Sequence, residues 1–241
     1  MTEPIDQFQL SPQGVLRVLL VISAVLVAMY LLGLFLRFGL GHDYALGFVP
    51  MFDLNREQNV PTLFSSMLLI SAGALCVFTS RLASRWRWQW YFMALVFVVL
   101  GIDETFGLHE PLFFVLRGNR SESTAELADK LGGVQWSDLY VWIMISIILL
   151  LAWYWPLIRH VGRKVLSIAI WSAIIYLLGV IGIDNVLVTE NEVPMIFYLL
   201  LSVIEEVCEF VGVSLFIYAV LVYLAEHYNI VIQLKKRNNS E

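Results

Sequence analysis

Six runs of about 20 residues pass with almost no charge, and that length crosses roughly 30 Å of hydrocarbon as an α-helix. They lie at about 14–38, 61–80, 89–108, 138–158, 164–184 and 205–225. The prediction is an all-α fold: a polytopic membrane helix bundle of six transmembrane helices, forming a single integral membrane domain over residues 1–241. Composition agrees, since 59 % hydrophobic with only 15 % charged residues lies outside the usual soluble range. The longest connection, about 109–137, is too short to bury a core of its own. The first run is too long for a signal-peptide core, has no basic start and shows no small-residue cleavage site, so it is expected to stay as a span. Cys76 and Cys208 fall near opposite ends of their spans, and no disulfide framework is expected.

Basic residues set the orientation. Arg81, Arg85 and Arg87 fall between the second and third runs, Arg159, Arg163 and Lys164 between the fourth and fifth, and Lys235, Lys236 and Arg237 after the sixth. The positive-inside rule makes those segments cytoplasmic, which puts both termini inside and the acid-rich connections 39–60, 109–137 and 185–204 outside. Trp86, Trp88, Trp90, Trp136, Trp142, Trp153 and Trp155 flank run ends, as interfacial anchors do.

The sixth run begins inside a longer apolar stretch, 194–225, that carries Glu205, Glu206 and Glu209. Centring the span on Glu206 would bury these three carboxylates at mid-bilayer, at a cost of roughly 9 kcal/mol. Its apolar residues return only about 0.3–0.6 kcal/mol each, so the register 205–225 is favoured and the acids fall at the outer end. Residues 194–204 then form a helical extension that starts near Pro194.

The other polar residues of the runs reach the same depth by the same reasoning. Asp103, Glu104, His109 and Glu110 close the third run, Asp184 closes the fifth, Asp138 opens the fourth as a helix cap, and Asn59, Thr62, Ser65 and Ser66 open the second. Acidic groups from three spans, with an imidazole, are therefore expected to converge near the non-cytoplasmic boundary. Glu205, Glu206 and Glu209 project from one broad helix face, and Asp103 and Glu110, seven apart, share a face if their helix persists through Gly107.

So many carboxylates in a low dielectric cannot all stay ionised alone, and these helices hold no lysine or arginine. Either a divalent cation neutralises them or some hold protons. Glutamates on several helices plus a histidine resemble the ligand set of carboxylate-bridged metal bundles, although Glu206-x-x-Glu209 has glutamate where that motif has histidine. The expected ligands are Glu104, His109, Glu206 and Glu209, for iron, manganese or zinc, with Asp103, Glu205, Glu110 and Asp184 as acid/base groups. Asp53, Asn55, Glu57 and Asn59 alternate like the start of a calcium loop, but glycine is missing at its sixth place and glutamate at its twelfth. That segment reads as a polar turn leading into Pro61.

The segments "FDLNREQNVPTLFSS", "IDETFGLHE" and "IEEVCEFVGVSLFIYAVLVYL" resemble those of a family of small, uncharacterised polytopic bacterial proteins. That family shares an Asn-x-Pro-Thr turn, an Asp-Glu and His-Glu pair, and a Glu-Glu-x-x-Glu helix; where it has glutamate in the fifth span, this chain has Asp184. A weaker resemblance is to the alkaline ceramidase superfamily of membrane zinc hydrolases. Ser65 or Ser66 and Asp103 match its serine and aspartate, but its His-x-x-x-His pair and seventh span are missing.

The expected function is that of a metal-dependent enzyme of the bacterial inner membrane, hydrolysing or oxidising a lipid or another membrane-dissolved small molecule. The alternatives are a proton- or cation-coupled transporter using the same acids, or a non-catalytic membrane scaffold or accessory subunit. Nucleic acid is not an expected partner, because no basic domain face is present; the basic tail marks topology and suits anionic lipid. With Cys76 and Cys208 replaced by serine, Gln58→Cys should react with a membrane-impermeant maleimide from outside, and Ser84→Cys only after permeabilisation. The opposite labelling pattern inverts the orientation.

Overall fold

The computed structural model describes residues 11–56, 58–107, 136–183 and 194–228, and all regular structure among them is helical. Helix α1 spans Pro12–Leu34 and winds on as a π turn over Phe35–Gly39. A short α2, Phe48–Met51, follows a left-handed bend. Then come α3 (Val60–Leu82), α4 (Arg87–Phe106), α5 (Trp136–His160), α6 (Arg163–Leu177, ending in a π turn over Leu178–Ile183) and α7 (Met195–His227).

Each predicted run falls on a helix for most of its length; the run at 89–108 leaves its helix at Gly107, and the last residue of the run at 164–184 lies outside the described residues. Among the described residues, five helical segments are long and apolar enough to cross a membrane: Pro12–Gly39, Val60–Leu82, Ser84–Phe106, Arg163–Val180 and Phe197–His227. The 25-residue α5 covers the run predicted at 138–158. Helix α7 is unbroken over 33 residues, about 50 Å at about 1.5 Å per residue, so residues 195–204 do extend the last run at its start. Pro194 caps it, its carbonyl accepting from Phe197 at 2.8 Å and Tyr198 at 3.1 Å.

The chain divides into two compact units, Met29–Leu166 and a second made of α1 up to Ala28 with the chain from Ser167 onward. In Met29–Leu166 the centre is a hairpin of α3 and α4, joined by the short connection around residues 83–86. Glycines bring its two backbones together. A Cβ added at Gly73 would sit 3.1 Å from the Ala94 carbonyl oxygen, and one at Gly101 would sit 3.3 Å from the Ser66 carbonyl oxygen. The Ser66 hydroxyl donates to the Gly101 carbonyl at 3.0 Å and lies 2.7 Å from Thr105 Oγ1, so a polar bond crosses where the helices are closest. Small residues and interhelical hydrogen bonds are what hold helices together where lipid removes the hydrophobic drive.

The end of α5 packs antiparallel on the start of α4. Tyr154 donates to the Gln89 carbonyl at 2.8 Å, and Phe92 meets the rings of Trp153 and Tyr154 edge to face. Trp86 and His160 rings lie 6.1 Å apart, so the connection with Arg81, Arg85 and Arg87 shares one end of this unit with Arg159. Two of the predicted cytoplasmic segments are thus on one side here. Trp88 stands out at 69 % exposure as an interfacial ring should, but Trp90 is packed inside at 4 %, which corrects its reading as an anchor. Asp138 stands within the first turn of α5, two residues after its start, and not at the cap position expected from Ser137-Asp138; an acid there suits the positive end of the helix dipole.

The other unit is built on α6 and α7, with α7 as its most buried element. Phe210, Val213, Ile217, Val220, Tyr223 and Leu224 are buried along it. Here too glycine sets the spacing: a Cβ on Gly212 would lie 2.9 Å from the Tyr176 backbone nitrogen and 3.0 Å from its Cα. Ser172 donates to the Gly212 carbonyl at 2.7 Å, repeating the serine-to-glycine bond of the first hairpin.

Gly212→Ala places a methyl group against backbone that cannot swing aside, so it should cost about 1–3 kcal/mol in thermal unfolding of the detergent-purified protein. Gly14→Ala, whose Cβ meets only Ser11 at 3.6 Å, should leave stability unchanged or slightly raised.

Candidate functional site

The segment before α3 folds into a hydrogen-bonded turn. Asn59 is the helix cap: its side-chain oxygen accepts from the Thr62 N–H at 3.1 Å, and Pro61 stands in the first turn, where it needs no partner for a missing N–H. The Asn59 amide donates to the Asp53 carbonyl at 2.5 Å, and the Thr62 hydroxyl donates to the Arg56 carbonyl at 3.3 Å. Asp53 in turn accepts from the Asn55 N–H at 3.1 Å, and Asn55 donates to Tyr30 Oη at 2.6 Å. The predicted polar turn into Pro61 is therefore present, and it is tied back to α1. Glu57 lies outside the described residues.

The last turn of α4 meets the first turns of α3 through Ser66, Gly101 and Thr105, and Asp103 and Glu104 belong to that same last turn, both half-buried. The Asn-x-Pro-Thr segment and the Asp-Glu pair thus stand at one end of one hairpin. Gly107 ends the helix: its φ of +56° is left-handed, and its N–H donates to the Asp103 carbonyl at 2.7 Å. Helix α4 stops at Phe106, so it does not persist through Gly107, the condition on which the shared face expected for Asp103 and Glu110 depends. His109 and Glu110 lie outside the described residues. Ser65 and Ser66, the serines matched in the ceramidase resemblance, are both buried, and the Ser66 hydroxyl is engaged in helix pairing.

In the unit built on α6 and α7, the three glutamates sit in consecutive turns of α7, all half-buried. A Cβ on Gly179 would lie 3.0 Å from the Glu205 carbonyl oxygen, 3.0 Å from Cys208 Cβ and 3.4 Å from Glu209 Cγ. The Glu205–Glu209 side of α7 is therefore pressed onto the backbone of the π turn that ends α6, while Glu206 stands about 100° further round. π turns widen a helix by a residue and are frequent at functional sites. Asp184 follows directly in sequence but lies outside the described residues. From Val165 to Leu234 the sequence contains no lysine or arginine.

Among the described residues, no three His, Cys, Asp or Glu side chains come together as a metal's ligand set. Three residues named for that site or its acid/base groups, His109, Glu110 and Asp184, are outside the described residues, and Glu104 belongs to a different unit from Glu206 and Glu209.

Sequence reasoning passed over Tyr30, Ser172 and Gly179. Each had a signal: a tyrosine level with a polar loop, a serine in an apolar run, and a glycine five residues before an aspartate.

An all-α protein of membrane-length helices, acidic at the end of each of its two main helix pairs, is the class that these features define. The chain belongs to the family described as Domain of unknown function (DUF8692), which matches residues 18–224 and so includes every acidic site residue named above. No curated protein and no solved structure matches the chain.

Asn59→Ala removes both the cap of α3 and the bond to Asp53, and should lower stability by about 1 kcal/mol in thermal unfolding. Asn59→Asp keeps the cap acceptor but not the donor to Asp53, and should recover only part of that loss.

Proposed function

We propose that this chain is a six-span protein of the bacterial inner membrane, both termini cytoplasmic, with a cation-compensated carboxylate site toward its outer end. The site serves hydrolysis or oxidation of a lipid or other membrane-dissolved substrate. One packing observation carries the reading: the Glu205–Glu209 side of α7, half-buried, rests on the backbone of the α6 π turn at Gly179. A carboxylate group withdrawn from water costs several kcal/mol per ion unless a counter-charge or a proton is supplied. Oxygen-rich donors such as these suit iron, manganese or zinc when an imidazole joins them. Bound there, such an ion supplies Lewis acidity or an activated water.

Glu206 and Glu209 are the proposed ligands on α7, with Glu205 and Asp184 left for proton transfer. Asp103 and Glu104 stand at the end of the α3–α4 hairpin, with Glu104 and, from sequence alone, His109 as proposed ligands and Asp103 and Glu110 as acid/base groups. Gly179, which lets the π turn of α6 rest against α7, favours an ordered site over a solvated helix end.

The test is the metal content of protein purified without chelators. Wild type should carry stoichiometric divalent metal, and Glu206→Gln, Glu209→Gln and His109→Ala should each lower that content while keeping their helical circular dichroism. Metal-free wild type would refute the enzyme reading and favour a carrier that holds protons on these acids.

A further inference from the structure

The chain leaving α1 bounds a half-open hollow of about 310 Å³, lined among others by Arg37, Asp43, Tyr44, Asp53 and Arg56, all within the unit Met29–Leu166. That volume is at the small end for a ligand site. The wall is bipolar: Arg37 Nε stands 3.7 Å from Asp43 Oδ1, and Arg56 Nε stands 3.4 Å from Asp53 Oδ2. Three of the four side chains are open, Arg37 at 39 %, Asp43 at 85 % and Arg56 at 65 % exposure, so their ion pairs add little to stability and leave both signs of charge accessible to a ligand.

One half of the wall is rigid. Asp53, only 14 % exposed at its side chain, is held by Asn55 and Asn59, and the Arg56 carbonyl is held by Thr62. The other half leans on apolar groups that face outward. Ala45 and Leu46 adopt positive φ, +42° and +57°, a conformation that side chains rarely accept, and the bend thrusts Leu46 out with its whole surface exposed. Tyr44, Phe35, Phe38 and Leu40 are also exposed around it. A strained bend that presents leucine and tyrosine, at the end of a membrane-length helix, is built for the bilayer boundary.

We propose that this cavity binds the headgroup of a zwitterionic phospholipid with a primary ammonium, its phosphate on Arg37 and Arg56 and its ammonium on Asp43 and Asp53. Guanidinium groups recognise phosphate oxygens through paired N–H donors, and carboxylates accept the N–H bonds that a primary ammonium offers. Leu46 and Tyr44 enter the bilayer beside the acyl chains. The proposal uses none of the carboxylates on α4 or α7, so it stands or falls separately from the metal site.

The test is titration of delipidated full-length protein, followed by native mass spectrometry, with phosphatidylethanolamine and phosphatidylglycerol of matched acyl chains. Wild type should prefer phosphatidylethanolamine by about tenfold or more, and Arg37→Gln and Arg56→Gln should each weaken it by about tenfold. Arg37→Lys should recover part of that loss, and the double variant Asp43→Asn with Asp53→Asn should erase the preference while keeping phosphatidylglycerol binding. Equal affinity for the two lipids in wild type, or arginine variants that bind as wild type does, would overturn the proposal. Inorganic phosphate or glycerophosphoethanolamine binding as tightly as the lipid would also overturn it, by marking a site for a soluble anion or headgroup.

Discussion

Close backbone approach at glycine is what the rest of this molecule depends on. In lipid the apolar surface of a helix gains nothing by leaving its surroundings, so helices associate through dispersion contacts and the few hydrogen bonds that short distances permit. Gly73 and Gly101 supply that distance in the α3–α4 hairpin, and Gly179 and Gly212 supply it between α6 and α7. In both pairs a serine hydroxyl uses it, Ser66 donating to the Gly101 carbonyl and Ser172 to the Gly212 carbonyl. The two helix pairs thus share one physical device although their sequences differ.

Close approach also decides what the acids experience. Where α6 loosens into its π turn, Gly179 lets the acidic turn of α7 rest on backbone rather than on side chains, which holds Glu205 and Glu209 half-buried. In the α3–α4 hairpin, Ser66, Gly101 and Thr105 fix the last turn of α4, and Asp103 and Glu104 are carried on that turn. The helix cap at Asn59 completes this end by locking the preceding loop onto α3. Apolar packing determines how far apart the helices stand, and the polar ends follow from it.

The spans were legible because hydrocarbon thickness demands a length, and length is visible in one dimension. The polar turn into Pro61 was legible because a capping asparagine before a proline has a local meaning. The stop at Gly107 was harder: glycine permits a left-handed residue without requiring it, and the choice between a bend and an end is made by the surrounding turn. Trp90 and Asp138 were misplaced for a related reason, since burial and helix starts depend on neighbours that a single strand of letters does not name. The π turn and the glycine contacts are properties of pairs of helices. Nothing in the spacing of Glu205 and Glu209 alone reveals that Gly179 lies against them. His109, Glu110 and Asp184 lie outside the described residues, so their part of the expected site rests on sequence.

The carboxylates gathered half-buried on α7 are proposed to be neutralised by a bound cation. Infrared difference spectroscopy of the purified full-length protein, before and after chelation, reads the state of those groups directly, with Glu205→Gln, Glu206→Gln and Glu209→Gln assigning the bands. The account predicts ionised carboxylate bands that shift when the metal is removed and vanish from the variants. A protonated carboxyl band that belongs to these residues and ignores the chelator would contradict it.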